Sequence, residues 1–377
     1  MSAVSRAARR PALVTTTIHV PEALEAYAAD AVRFGHGDAL VVVVGDRKSP
    51  PEAGAWCRRL AEASGLEVRH LGVEDQEDYL GAYPELAAHL PWNSIQRRNV
   101  GMLVAYQEGC DPIITIDDDN YRVDDDFIGG HQLAGRVVTL PALVSESGWV
   151  NVCASLVEAK GRDFYHRGHP LGQRWQGERV RETAFSGLVA VNAGLWLGDP
   201  DVDAIQRLAC PVDAVEYRRA GSFALGPGTW SPFNSQNTAL ARDVVPAYFL
   251  SPCIGRYDDI WASYVVCAIA QHLGHAVAFG RPLVRQERNQ HDLWRDLEQE
   301  AGPMRATDAL WPFLKGLPLT GADYGTCAIE VCGALRAWLA GEAGSALPAE
   351  ARRLFADFTT GLEAWTACIA RANGAGA

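Results

Sequence analysis

Along the first third of the chain, short apolar runs alternate with amphipathic stretches. Leu13 to Ile18, Ala39 to Val44, Glu67 to Leu71 and Ile113 to Ile116 read as strands, three of them dominated by β-branched and aliphatic residues. Between them, Pro21 to Phe34, Trp56 to Ser64 and Asn93 to Glu108 carry apolar residues at helical spacing, with Gly65 and Gly109 as stops. This β-α-β-α-β-α-β order predicts an α/β fold with a parallel sheet covered on both faces. Right-handed crossovers bring the C-terminal ends of such strands to one edge, where ligands bind. Thr16-Thr17, Gly45-Asp46 and Asp117-Asp118-Asp119 all follow strand ends, so the pattern predicts one site at that edge.

The pattern changes downstream. Val150 to Val191 reads as mixed strands and loops, and Ala190 to Leu197 returns to apolar residues. Gly226 to Asn237 is a Gly/Pro/Ser/Asn-rich loop of the kind that carries function when it overlies an active edge. Arg256 to Trp261 opens a helix that runs to about Leu273 and stops at Gly274. Cys327 to Leu339 and Ala349 to Ile369 have the spacing of amphipathic helices, suited to capping the domain or to self-association. The expected organisation is a loose tail over residues 1–10, an α/β domain over 11–305 and a helical extension over 306–377.

Composition narrows the function classes. The chain is 48% hydrophobic and 21% charged, with a net charge of −12. That balance suits a soluble domain with a large core and argues against a nucleic-acid or anionic-membrane surface, either of which needs a basic face. No run of about 18 apolar residues suggests a membrane span. Nine cysteines at irregular spacing, without a CxxC pair, suggest reduced thiols in a cytoplasmic protein. Neither GxGxxG nor GxxxxGK[ST] occurs at the first turn, which argues against a dinucleotide-binding Rossmann unit or a P-loop.

Three adjacent carboxylates at the end of a buried strand are the strongest chemical signal. Like charges that close disfavour one another's ionisation, and a hard divalent cation removes that penalty. Such a cation can in turn hold a diphosphate. Asp124-Asp125-Asp126, with no comparable strand before it, reads as a solvated acidic loop.

Four stretches together resemble one family. They are Ile116-Asp117-Asp118-Asp119, Arg167-Gly168-His169-Pro170 with Arg174, Gly194-Leu195-Trp196-Leu197, and Ile254-Gly255-Arg256-Tyr257-Asp258-Asp259-Ile260-Trp261. All occur in this order in the UDP-arabinopyranose mutases, or reversibly glycosylated polypeptides. The resemblance implies a glycosyltransferase-A-like fold with a C-terminal helical extension, Mn²⁺ or Mg²⁺, and no flavin. It implies an isomerase that interconverts the pyranose and furanose rings of a nucleotide-bound sugar. The departures are Asn120, where plant members usually have cysteine, a longer segment between Arg167 and Gly177, and a different Trp92 to Asn99 stretch. The last of these puts the base in question. A resemblance to actinobacterial metal-dependent mutases of antibiotic pathways points to a GDP-sugar such as GDP-fucose, with a UDP-sugar as the other choice. The alternative activity is a metal-dependent glycosyltransferase with a small-molecule acceptor, and the third reading is a self-glycosylating carrier.

On this resemblance Arg167 and Arg174 are the expected catalytic arginines, stabilising charge on the diphosphate. Asp258 and Asp259 are the expected sugar-facing carboxylates, Asp259 the preferred one. Asp117 and Asp119 are expected to hold the metal, with His291 as a further ligand. Thr16, Thr17, Asp46, Arg97 and Asp118 are expected to bind the nucleotide, with Asp46 suited to the N1 and N2 donors of guanine. Trp92, Trp196 and Trp230 lie beside these segments and could stack on sugar or base. Homo-oligomers are compatible with the helical extension.

Overall fold

In the computed structural model, which describes residues 9–123, 126–288 and 292–374, twelve strands form one mixed sheet. They are β1 (Ala12–Thr16), β2 (Leu40–Val44), β3 (Glu67–Leu71), β4 (Ile113–Ile116), β5 (Asn120–Arg122), β6 (Val137–Ser145), β7 (Leu156–Glu158), β8 (Val180–Gly198), β9 (Ala214–Tyr217), β10 (Phe223–Leu225), β11 (Asn237–Leu240) and β12 (Ala276–Gln286). The first four lie in the order β3-β2-β1-β4 and are parallel throughout. β2, a run of Leu and four Val, is buried at every position, as a strand covered on both faces must be.

Beyond β4 the sheet changes character. β11 runs antiparallel to both β4 and β8. β8 is 19 residues long and works as two strands in series. Val180–Leu188 pairs antiparallel with β6, and Val189–Gly198 pairs parallel with β12. Because β6 also pairs with β10 and β10 with β12, these four strands close a circuit. The polar first half of β8 is partly exposed, which is why its sequence reads as mixed strand and loop.

This topology decides where the carboxylate run goes. β4 lies in mid-sheet, but β5, only three residues later, pairs with β12 at the far end of the pairing order. Asp117, Asp118 and Asp119 are the crossing between them.

The segment read as a helix from Asn93 starts later. Asn93 has φ 57°, and the ordered turn Ile95–Arg97 precedes the helix Arg98–Gln107. The Asp46 carboxylate accepts from the Asn93 and Ser94 amides at 2.8 and 3.0 Å and so delays the helix start. Asparagine tolerates this left-handed geometry better than most residues.

The helix Asp258–Leu273 is buried over nearly its whole length. The three long C-terminal helices, Leu293–Lys315, Tyr324–Ala340 and Ala349–Gly374, pack against it, and the last two also pack against the Arg242–Ala247 turn. Trp261 stacks on Phe355 with ring centroids 5.0 Å apart and donates to the Thr307 hydroxyl at 2.9 Å. One continuous apolar cluster runs from Ala12 to Ala372. Leu293–Lys315 runs unbroken through residue 306, where the sequence pattern starts the extension. At the other end, Arg9 and Arg10, the last two residues of the expected tail, make side-chain ion pairs. Arg9 pairs with Asp111 and Arg10 pairs with Glu67. All nine cysteines are free. Among the described residues no helix is long and apolar enough to cross a membrane.

Candidate active site

A cavity of about 640 Å³ opens at the C-terminal ends of β1 and β4. The carboxylate run and Thr16 come from those strand ends. Further walls come from Asn93 to Arg98, from Ser235 and Gln236, from Gly255 to Asp259, and from Gln286 and Arg288 beyond β12. Six aspartates line it, Asp117, Asp118, Asp119, Asp201, Asp258 and Asp259, against four arginines, Arg98, Arg167, Arg256 and Arg288. Fully ionised, that set carries an excess of two negative charges.

The carboxylates of the run differ in their partners. Asp117 pairs with Arg98, whose other Nη donates to the Ser235 carbonyl and hydroxyl, each at 2.8 Å. Asp118 accepts from the Thr17 hydroxyl at 2.7 Å. Burial raises the Asp118 pKa, and Thr17 only partly offsets this. Asp119 has one buried oxygen, Oδ1, with no hydrogen-bond partner among the described residues. Burial first, then the Asp117 carboxylate, pushes its pKa up to about 7. A buried, partnerless carboxylate oxygen is costly and calls for a cation or a donor.

Among the described residues no group of three His, Cys, Asp or Glu is close enough to hold a metal alone. Magnesium-type sites on nucleotides commonly take one or two carboxylates and complete their shell with phosphate oxygens and water. The Asp119 oxygen beside Asp117, in a cavity with excess negative charge, fits that kind of site. His291 lies outside the described residues.

Arg167 is set differently. Nε and Nη2 pair with the two oxygens of Asp201, both at 2.9 Å. Nη1 and Nη2 pair with the two oxygens of Asp259, at 3.0 and 3.1 Å. Nη1 also donates to the Arg256 carbonyl. All five guanidinium donors are therefore engaged. Two glycines allow this. Gly168 has φ 87°, and a Cβ there would meet Ile260 at 2.3 Å, so the turn after Arg167 can seat directly on the Asp258–Leu273 helix. Gly255, at φ 57° and ψ −124°, makes the kink that sends the Arg256 carbonyl toward Arg167.

Asp258 and Asp259 occupy the first turn of their helix, as the sequence pattern predicts, but their surroundings diverge. Asp259 accepts from Arg167 and from the Ser235 amide and hydroxyl. Asp258 accepts from Gln96 at 2.7 Å. Burial, and then the neighbouring Asp259, pushes the Asp258 pKa up to about 7. Of the two, Asp258 has the fewer hydrogen-bond partners among the described residues, whereas the sequence preference is for Asp259.

Other expected residues sit elsewhere. Arg174 does not line the cavity; it is buried against Asp203 and the His169 carbonyl. Arg97 turns away, onto the Gln76 side chain and the face of Trp92, 3.5 Å from the ring centroid. Arg98, its neighbour, takes the cavity position. Asp46 and Thr17 line an adjoining pocket of about 240 Å³ with Thr16, Asn93 and Ser94. The Asp46 carboxylate already accepts from three backbone amides, those of Arg47, Asn93 and Ser94. One of its roughly four acceptor positions is left, too few for the paired guanine donors. Trp196 and Trp230 are core residues, and Trp92 is flanked by Arg47 and Arg97.

Asp201, Arg288, Gln96 and Ser235 were not singled out by sequence. Ser235 lies in the Gly226 to Asn237 loop, which gave a local signal. Asp201 and Arg288 follow the ends of β8 and β12, and nothing in their neighbours marks them.

The profile of the reversibly glycosylated polypeptide family matches residues 75–369. The chain is 34% identical over 130 residues to UDP-arabinopyranose mutase 3 of Arabidopsis thaliana, covering 33% of each protein. It is 32% identical over 180 residues to the probable UDP-arabinopyranose mutase 1 of Pisum sativum, covering 46% of each. The match thus spans between a third and a half of these relatives' length. Glucosyl-3-phosphoglycerate synthase from Mycobacterium tuberculosis, solved in complex with Mn²⁺ and UDP-glucose, overlaps 83% of this chain and 81% of its own. That overlap has 12% identity and a TM-score of 0.39. On the extent of the profile match, which takes in the carboxylate run, the Arg167 turn and the Arg256–Trp261 string, the chain belongs to the reversibly glycosylated polypeptide family.

Proposed function

We propose that this protein is a metal-dependent nucleotide-sugar mutase that interconverts pyranose and furanose rings while the sugar stays with its diphosphate. The observation that carries the reading is the pairing, in one cavity, of an orphaned carboxylate oxygen on Asp119 with a near-neutral carboxyl on Asp258. Asp119 and Asp117 would hold Mn²⁺ or Mg²⁺, which when bound neutralises negative charge on the diphosphate. Asp258, with a pKa near 7, is matched to taking the proton of the attacking ring hydroxyl and returning it to the ring oxygen that departs. Asp259, held by Arg167 and Ser235, fixes the helix turn that presents Asp258. Arg167, with every donor engaged, acts on the reaction through that turn. The names of the relatives support a mutase, and family membership supports the nucleotide sugar.

The base is the finer question. The departures at Trp92 to Asn99 leave the base open, and the resemblance to actinobacterial mutases favours a GDP-linked sugar such as GDP-fucose, whereas the Asp46 carboxylate, with one acceptor position left, favours a base with fewer donors, as in a UDP-sugar. A glycosyltransferase is the second reading, and one feature favours it. A second cavity of about 640 Å³, lined by Glu22, Tyr121 and Glu287 among others, shares Asp118 and Asp119 with the first and could admit an acceptor. A cytoplasmic location, with a free nucleotide-sugar pool, suits either.

Purified protein is incubated with Mn²⁺ and a panel of UDP- and GDP-sugars without acceptor, and products are separated by chromatography. An isobaric isomer with the diphosphate retained is expected. Free nucleoside diphosphate without any isomer would transfer the assignment to the glycosyltransferase.

A further inference from the structure

Arg288 stands just beyond β12, and two backbone contacts fix its place. The Glu287 amide donates to the Asp119 carbonyl at 3.3 Å, and the Asp199 amide donates to the Gln286 carbonyl at 3.2 Å. The guanidinium lines the cavity with its side chain 10% exposed. Its Nε has no hydrogen-bond partner among the described residues. The Asp199 carboxylate is 3.5 Å from Nε, within ion-pair reach but not in good hydrogen-bond contact, and it already serves Arg207. Nη2 reaches the Gln286 side-chain oxygen only at 3.4 Å. Buried cations persist when paired and hydrogen-bonded, and this one is poorly served on both counts.

The other cavity arginines are committed. Arg167 has all five donors engaged. Arg98 uses both Nη groups on Asp117 and Ser235, leaving only Nε unpaired. Arg256 donates to Glu300 at 2.9 Å and lies 3.4 Å from Asp296.

We propose that Arg288 is the guanidinium that grips the diphosphate of the bound nucleotide. The proposal rests on the nucleotide-sugar reading and assigns a residue that the resemblance does not name. A guanidinium fork matches two phosphate oxygens, and a diphosphate would satisfy the unused donors. Its place beside Asp119 sets the cationic group next to the carboxylates, so one anion can meet both the fork and a carboxylate-held cation. Burial, with the Arg207 guanidinium nearby, holds the Arg288 pKa below the usual arginine value, which accords with a charge short of compensation.

Calorimetric titration tests this in MgCl₂ with UDP, GDP, inorganic pyrophosphate, uridine and guanosine as probes. Arg288→Met should lose at least tenfold in affinity for whichever diphosphates the wild type binds and keep its nucleoside affinity. Without ligand it should melt no lower than wild type, because an under-paired buried charge has been removed. Equal diphosphate affinity in the two proteins would overturn the assignment while leaving the nucleotide-sugar reading standing. So would a parallel loss for nucleosides, which would mean a collapsed site. A wild type that binds none of the three diphosphates would overturn that reading itself. Should Arg288→Met melt below the assay temperature, Arg288→Lys carries the test. It keeps the charge without the fork, and a loss of at least threefold confined to diphosphates is expected, with no loss counting against the proposal.

Discussion

Arg167 has all five N–H donors engaged by Asp201, Asp259 and the Arg256 carbonyl, while Asp119, on the same cavity, keeps a buried oxygen with no hydrogen-bond partner among the described residues. Both clusters are buried, charged and drawn from loops at strand or helix ends. One is complete within the protein and the other is not. A polar cluster that satisfies itself organises the backbone around it, whereas one left short has its missing partner supplied from outside. On the proposed reading the contrast separates residues that build this site from residues that would meet the substrate, whereas the resemblance implies a catalytic role for Arg167 itself.

The largest expected effect lies on the incomplete side. Asp119→Ala should lower kcat/KM by about 10³-fold or more, the scale of losing a group that positions and neutralises charge in the transition state. Melting should stay close to wild type, since the removed carboxylate is poorly solvated. Isomer formation measured by chromatography decides it, and retained activity would end the metal assignment.

The complete side should respond in stability. Arg167→Met leaves Asp201 and Asp259 buried without their shared cation, and breaking such a pair costs ~3–5 kcal/mol. Denaturant unfolding should show that loss, together with loss of activity. A variant that unfolds like wild type but binds diphosphate more weakly would instead put Arg167 on the substrate and erase the contrast.

Asp258 sits between the two clusters, and pH resolves its role. Its pKa is raised in the folded protein to about 7. The folded state therefore holds this proton where the unfolded chain, with an ordinary carboxyl near about 4, has lost it. Stability from this group is full at low pH and declines as pH rises from about 4 to about 7. Asp258→Asn should remove that decline and raise stability at pH 8 by ~1–3 kcal/mol, while turnover falls sharply. Unfolding curves at pH 5 and pH 8 provide the measurement. An unchanged pH slope would mean that the carboxyl is ionised in the folded protein.

The smallest effect belongs to Asp46, another self-satisfied group. Asp46→Asn gives up acceptor capacity toward the Arg47, Asn93 and Ser94 amides and should cost ~1 kcal/mol of stability. Any loss of UDP and GDP affinity should be equal. A loss confined to GDP would make Asp46 a guanine reader and return it to the substrate side.

The alternation of apolar runs and helical spacing was enough to place β1, β2, β3 and β4 in a parallel α/β sheet and to bring Thr16, Asp46 and Asp117 to its edge. Local pattern suffices there because strand burial and crossover handedness are repetitive constraints. β8 was not legible as one strand, since its first half presents Arg181, Glu182 and Thr183 to partly solvated surroundings. The Arg97 and Arg98 pair shows the same limit at a single residue. Sequence marks two adjacent arginines, and only the turn fixed by Asp46 at Asn93 decides that Arg98 faces the cavity.

By itself, the sequence determined the sheet edge, the carboxylate run and the motifs of a family. Each of these is written in neighbouring residues, through periodicity, burial and short strings. The tertiary structure decided which charges are paired. Asp201 and Arg167 are 34 residues apart, Arg167 and Asp259 are 92 apart, and the Arg288 segment comes beside Asp119 through the pairing of β5 with β12 and the Glu287 amide on the Asp119 carbonyl. Whether a buried charge is satisfied depends on partners that distant, so the division between groups that hold the site and groups that await a ligand could be drawn only in three dimensions.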